Sequence, residues 1–367
     1  MNFNNVKVAR GGGKSQRLIG LDFLRIALAL LVFFFHSRIH FECSYGIMNN
    51  FVQMGAIAMT GFMLLSGYVL YVTYHTRVLI EKVQLKQFYL KRLISILPLY
   101  YSIAILHIGC GLITGKTSFV KEIVLFPIET LGLQSVFTSL FSYSHNGGTW
   151  FISCILICYA VYPLMQSLIE LMSAKGKLIL LGLLVVILLY SPIVQHLFHL
   201  ADLYSNPFFR MQEFFIGVVL ANFACNNRES VSKFSIKTRT MMLTIVIIFL
   251  ILGVTLAVSI GIPYDFMLYN WIALPSFSVI ILILGSMSLE KMSHSKMLNY
   301  LSSISFTFFL CQVLPLWGIC RRIVEHLNLT NNGLKIIISF AICFVGAILI
   351  HELIEKPSVK ILRKKLL

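Results

Sequence analysis

Apolar residues along this chain come in runs of about twenty, the length of α-helix needed to cross the hydrocarbon core of a bilayer. Such runs fall near 19–40, 51–73, 92–113, 149–170, 178–199, 209–225, 241–262, 268–287, 299–320 and 333–354. The pattern predicts an all-α, polytopic transmembrane helical bundle of about ten spans. A further apolar stretch, 119–141, is interrupted by Pro127, Glu129 and several polar residues, and its hydropathy alone leaves its path open.

Charge bears on that path. With 119–141 held on one side, 22 of the 30 Lys and Arg residues fall on the side of the N-terminus, among them Arg77, Lys82, Lys86, Lys91 and Arg92 after the second run. If 119–141 crossed, the basic loops near 175 and 228–239 would lie outside, against the excess of Lys and Arg that marks cytoplasmic loops. The reading is therefore ten spans with both termini cytoplasmic, and 119–141 as a re-entrant or interfacial element on the outer side. Residues 1–18 read as a flexible basic cytoplasmic tail, 19–357 as a single membrane domain and 358–367 as a basic cytoplasmic tail.

Composition narrows the class. Hydrophobic residues make up 58% of the chain and charged residues 12%, and the mean hydropathy is +0.85, values a soluble fold of this length would not tolerate. The net charge of +16 is read as membrane topology rather than nucleic-acid binding. Eight scattered cysteines without a paired CxxC spacing indicate neither a disulfide framework nor a zinc site.

Against this apolar background, Asp22, Arg25 and His36 stand out in the first run. Ionisable groups inside a bilayer are costly and are functional suspects. On a helix, the step from Arg25 to His36 is about three turns plus roughly 20°, so both side chains leave the same face about 16 Å apart along the axis. That spacing suits a bulky ligand touching both, not a direct pair. The competing reading makes Asp22 and Arg25 snorkelling anchors and His36 a packed histidine.

Other segments offer weaker chemistry. Ser66-Gly67 interrupts bulky residues in the second run, which permits either a ligand or close helix packing. Lys91-Arg92, ahead of Pro98, forms a cationic rim suited to phosphates or to anchoring. His145, Asn146 and Trp150, with Gly147-Gly148 between them, suit sugar hydroxyls, while an interfacial tryptophan belt is the simpler role for Trp150. Arg210 and Glu213, at i and i+3, can pair on one face. Ser302, Ser305 and Thr307 give the ninth run a hydroxyl face, and Glu355-Lys356-Pro357 closes the last.

In this order, from about Leu21 to Pro357, the arginine-ten residues-histidine motif of Arg25 and His36, Ser66-Gly67, the basic turn before Pro98, Thr149-Trp150-Phe151, Arg210 to Gly217, Ser305-Phe306-Thr307 and Glu355-Lys356-Pro357 resemble the acyltransferase-3 family of integral membrane acyltransferases. The likeness leans toward stand-alone polysaccharide or lipid-linked-sugar O-acetyltransferases. It implies transfer of an acyl group, most often acetyl from cytoplasmic acetyl-CoA, to a hydroxyl of a cell-surface or lipid-linked glycan, in a bacterial inner membrane.

The roles implied are His36 as general base or acyl carrier, with Arg25 and Asp22 organising the cytoplasmic half. Arg92, Lys91, Ser66 and Gly67 would serve the donor; His145, Asn146, Trp150, Arg210 and Glu213 would serve the acceptor. No permanently bound cofactor and no metal are expected. Three positions depart from the family pattern: Ser95 where a second arginine is frequent, Ile155 where many members have glutamate, and Gln312 where histidine is common. A glycan transporter or flippase, or a non-catalytic export component, is the alternative.

Overall fold

The computed structural model describes residues 18–137, 140, 149–200, 203–227, 234–287, 295–312 and 315–367, and among these no strand occurs. His145 and Asn146 lie outside the described residues, as does almost all of the tail at 1–18. The helices are α1 (Ile19–Phe41), α2 (Ala58–Tyr74), α3 (Lys82–Ile113), α4 (Phe119–Thr130), α5 (Trp150–Leu171), α6 (Ala174–Phe198) and α7 (Pro207–Asn226), followed by α8 (Ile236–Ser259), α9 (Asn270–Ser286), α10 (Lys296–Cys311), α11 (Pro315–His326), α12 (Asn332–Ile350) and α13 (Lys356–Leu366). Several starts are set by local chemistry. Ser118, Ser173, Asn206, Ser235, Ser295 and Asn331 each accept a hydrogen bond from a backbone N–H of the helix that follows, satisfying a donor that the first turn leaves open.

Among the described residues, eight helices are long and apolar enough to cross a membrane. The other two expected spans take different forms. The run at 268–287 is α9, a helix of 17 residues, and the run at 299–320 is α10 and α11, bent by 71° at the break between them. Helix α4 has 12 residues, about 18 Å of rise against a hydrocarbon core of about 30 Å. It therefore does not span, in line with the charge argument. Its end is fastened to α3, where the Tyr100 hydroxyl donates to the Glu129 carbonyl and Tyr101 to the Thr130 carbonyl at 2.8 Å.

The C-terminal boundary needs correction. Residues 358–367 do not form a separate tail: α12 runs through a π turn at His351–Glu355 into α13, which packs on α3. Pro357 has no N–H to donate to the carbonyl four residues back, and its ring would crowd that carbonyl. The wider π turn just before it absorbs the mismatch without ending the helix.

Helices α2 and α7 make the most intimate contact in the molecule. A Cβ placed on Gly67 would lie 2.0 Å from the Phe214 carbonyl oxygen, and one on Gly217 would lie 2.1 Å from that of Leu64. Each glycine thus admits the backbone of the opposite helix. This revises the expectation that Gly67 borders the donor, because its open side is filled by α7. Helix α1 packs on α2, α9 and α10, and its Gly20 approaches the Leu284 carbonyl in the same manner.

Candidate active site

The face of α1 that carries Arg25 and His36 is turned toward α10 and α11, and contacts mark it at three levels, two of them hydrogen-bonded and the third made by rings. At the first, Asp22 Oδ1 accepts from Arg25 at 3.2 Å and from the Ser302 hydroxyl at 2.7 Å, and Arg25 also reaches Ser302 at 3.4 Å. Asp22 is buried, while Arg25 keeps 32% of its side chain exposed. At the second, Gln312 Nε2 donates to the Ala29 carbonyl at 3.3 Å, and its Oε1 is buried without a partner among the described residues. At the third, the His36 ring lies 5.9 Å from Trp317, 5.2 Å from Phe35 and 5.6 Å from His40, centre to centre. Ala29 falls between Arg25 and His36 in the helical register, so the three levels form one strip along α1.

At the Arg25 end, α3 and α5 supply a second cation and a phenol. Arg92 lies over Tyr74 at 5.4 Å and over Tyr159 at 5.9 Å. One of its terminal nitrogens donates to the Tyr74 hydroxyl at 3.2 Å, and its Nε is buried without a hydrogen-bond partner among the described residues. The Tyr159 ring thus lies beneath the Arg92 guanidinium, with Arg25 of α1 in its neighbourhood. Lys91, one residue earlier, is half-buried, and Ser95 turns its hydroxyl back onto the Arg92 carbonyl at 2.8 Å. Ser66 is half-buried on α2, one position from the Gly67 crossing.

At the other end of α1, the chain turns into an ordered loop. Arg38 donates to Asn49 Oδ1 at 3.0 Å, the Tyr45 N–H to the same oxygen at 2.8 Å, and Ser37 Oγ and the Tyr45 hydroxyl share a hydrogen bond of 2.6 Å. Burial holds the Tyr45 phenol above its ordinary pKa, partly offset by Ser37, so it stays neutral in that bond. Ser44 and Asn332 exchange hydrogen bonds of 2.7 Å each way and fasten the loop to the start of α12. His40, one turn beyond His36, is exposed.

Arg210 and Glu213 pair as their spacing predicts, but away from any surface. Their side chains are 1% and 0% exposed, and two Arg210–Glu213 contacts measure 3.0 Å. Arg210 Nε donates to the Tyr204 carbonyl at 2.7 Å, Thr60 donates to Glu213 at 2.8 Å, and Asn270 donates to Glu213 at 3.2 Å. The guanidinium lies 5.5 Å from the Trp150 ring and 4.8 Å from the Tyr204 ring. Trp150 is itself buried. Trp150, Arg210 and Glu213 are therefore buried interior groups held by one another and by Tyr204, Thr60 and Asn270, where contact with an acceptor was expected. Burying so many polar groups is tolerated because each finds a partner.

A second long-range junction joins two motifs that the chain keeps far apart. Glu355, in the π turn, accepts from the Thr307 hydroxyl at 2.5 Å and from His351 Nδ1 at 2.8 Å. An apolar cavity of about 530 Å³ lies between α3 and α4, lined by Tyr101, Ile105, Ile108, Phe119 and Phe126. It contains none of the residues on the α1 strip, and its walls suit hydrocarbon. Among the described residues, no group of three or more His, Cys, Asp and Glu side chains could hold a metal ion.

An integral membrane helical bundle, with a charged and imidazole-bearing strip on its first helix, is the class these features define. Residues 18–352 match the acyltransferase domain of the acyltransferase-3 family. The chain belongs to that family and is a membrane acyltransferase. It matches no curated protein and no solved structure.

Sequence reasoning did not single out Tyr159, Trp317 or His40. His40 carried a readable signal, four residues from His36 on the same helix face. Trp317 did not, because its approach depends on the bend between α10 and α11.

Proposed function

We propose that this protein moves an acetyl group from cytoplasmic acetyl-CoA to a hydroxyl of a cell-surface or lipid-linked glycan, in the cell membrane of a bacterium. One observation carries the reading: Arg25 and His36 share the α1 strip, and no described residue hydrogen-bonds the His36 ring, so an imidazole nitrogen is open to a reactant.

A sugar hydroxyl is a weak nucleophile at neutral pH, and attack on a thioester needs a base at the hydroxyl. Neutral His36 serves as that base or as a transient acyl carrier. Arg25 and Arg92 meet the donor's phosphates, with Lys91 adding charge at the rim. Arginine suits this task because its planar fork matches phosphate oxygens and stays charged. The loop around Asn49 meets the acceptor, with His145 and Asn146 as further contacts to its hydroxyls.

The test is purified protein supplied with labelled acetyl-CoA and glycan extract, with mass spectrometry of the products. Release of CoA and a labelled glycan, both lost in His36→Ala protein that remains inserted, is the expected result. Full transfer by that variant overturns the role of His36. Glycan movement without CoA release would instead mark a transporter.

A further inference from the structure

Trp317 combines three observations that no role above absorbs. It is 4% exposed. It is clamped by α1, with its ring 5.8 Å from Phe33, 5.9 Å from His36, 5.5 Å from His40 and 5.0 Å from Phe41. Its indole nitrogen is buried and has no hydrogen-bond partner among the described residues. Trp271, by contrast, donates from the same atom to the Leu189 carbonyl at 3.0 Å. A buried indole N–H ordinarily finds an acceptor, and leaving one unpaired is unfavourable. A phenylalanine would fill the same space against Phe33 and Phe41 without that cost. The N–H therefore calls for a ligand.

We propose that the indole N–H of Trp317 holds the acyl carbonyl oxygen while the acyl group is transferred at His36. This rests on the reading of His36 as the site of transfer. The acceptor hydroxyl oxygen bonds to the thioester carbon as His36 takes the hydroxyl proton, and negative charge gathers on the carbonyl oxygen. Collapse restores the carbonyl and breaks the carbon–sulfur bond. The departing thiolate takes the proton back from His36, giving an ester and a thiol.

A donor aimed at the developing oxyanion is the contribution such a step needs most, and it acts most strongly where water is excluded. Of the three rings around His36, Phe35 has no donor and His40 is exposed to water, which leaves the buried N–H of Trp317. Gln312 Oε1 is an acceptor and cannot take this role.

Two measurements test the assignment. Trp317→Phe keeps an aromatic ring in the clamp and removes only the donor. The expected result is a fall in kcat of roughly 10²–10³-fold with donor KM unchanged, and partial recovery in Trp317→His, which restores a ring N–H. In the wild-type protein, the Trp317 indole N–H resonance is followed by NMR on isotopically labelled tryptophan, assigned with Trp150→Phe and Trp271→Phe. A stable acetyl-CoA analogue in which a methylene replaces the sulfur should move that resonance downfield.

Unchanged kcat in Trp317→Phe, or an unmoved resonance while calorimetry shows the analogue bound, overturns the proposal and leaves His36 in place. An analogue that fails to bind, or an active His36→Ala variant, removes the underlying reading and this proposal with it.

Discussion

Gly67 and Gly217 lie against each other's helix backbones, with Phe214 and Leu64 carbonyl oxygens where side chains would begin. Neither backbone can swing aside as a flexible side chain does. Gly67→Ala or Gly217→Ala should separate α2 from α7 and destabilise the protein by about 3 kcal/mol or more, at the upper end of overpacking costs. Thermal unfolding of the detergent-solubilised protein would show it, and an unshifted melting temperature in either variant would contradict the crossing.

The Arg210–Glu213 pair is sealed in the interior, so removing one partner strands the other. Glu213→Leu should cost about 3–5 kcal/mol, and the Arg210→Met, Glu213→Leu double variant should recover much of that loss. A double-mutant cycle on unfolding measures the coupling directly. If Glu213→Leu instead weakened glycan binding and left stability intact, the pair would be an acceptor contact after all.

Arg92, from α3, lies over Tyr159, and Arg25, from α1, is held by Asp22 and Ser302. Arg25→Ala or Arg92→Ala should each weaken CoA binding by roughly 10-fold or more, as expected for loss of a charged hydrogen bond. Because both are assigned to the phosphates of one ligand, their effects should not simply add. Calorimetry with CoA reports both quantities. Unchanged affinity in Arg25→Ala would leave this residue a structural anchor for Asp22 and Ser302.

Thr307→Val removes the hydroxyl that Glu355 accepts from and preserves the shape of the side chain. The expected loss is about 1 kcal/mol, the net contribution of one hydrogen bond, because His351 still donates to the same carboxylate oxygen. Hydrogen exchange should rise first in the π turn at His351–Glu355. Equal protection in both proteins would show that this junction does not brace α10 against α12.

Much of this architecture could be read from the chain because bilayer thickness and helix geometry act locally. Asp22, Arg25 and His36 were visible as costly groups on one helical face, and the failure of 119–141 to span followed from where the basic loops had to lie. The pairing of Arg210 with Glu213 was equally legible from an i, i+3 spacing. Its burial was not, because that depends on Thr60, Asn270 and Tyr204 arriving from three other segments. Gly67 was ambiguous for the same reason: a small residue serves a ligand or a helix equally well until its neighbour is known. Continuation of the last helix past Pro357 rests on a hydrogen-bonding shift that hydropathy does not record.

Arg25 and His36 belong to one unbroken helix, and their separation of about 16 Å does not change when the other helices rearrange. On the proposed reading, the strip would act as a ruler for the acyl donor. A carrier would have to be long enough to leave its phosphates among the cations while its thioester reaches the imidazole. Short thioesters that contain the same acetyl group but no nucleotide end should bind at one end only and lose kcat as well as affinity, because contacts far from the reacting bond set the position of that bond. Choice of donor would then be made by length before the acyl group itself is recognised.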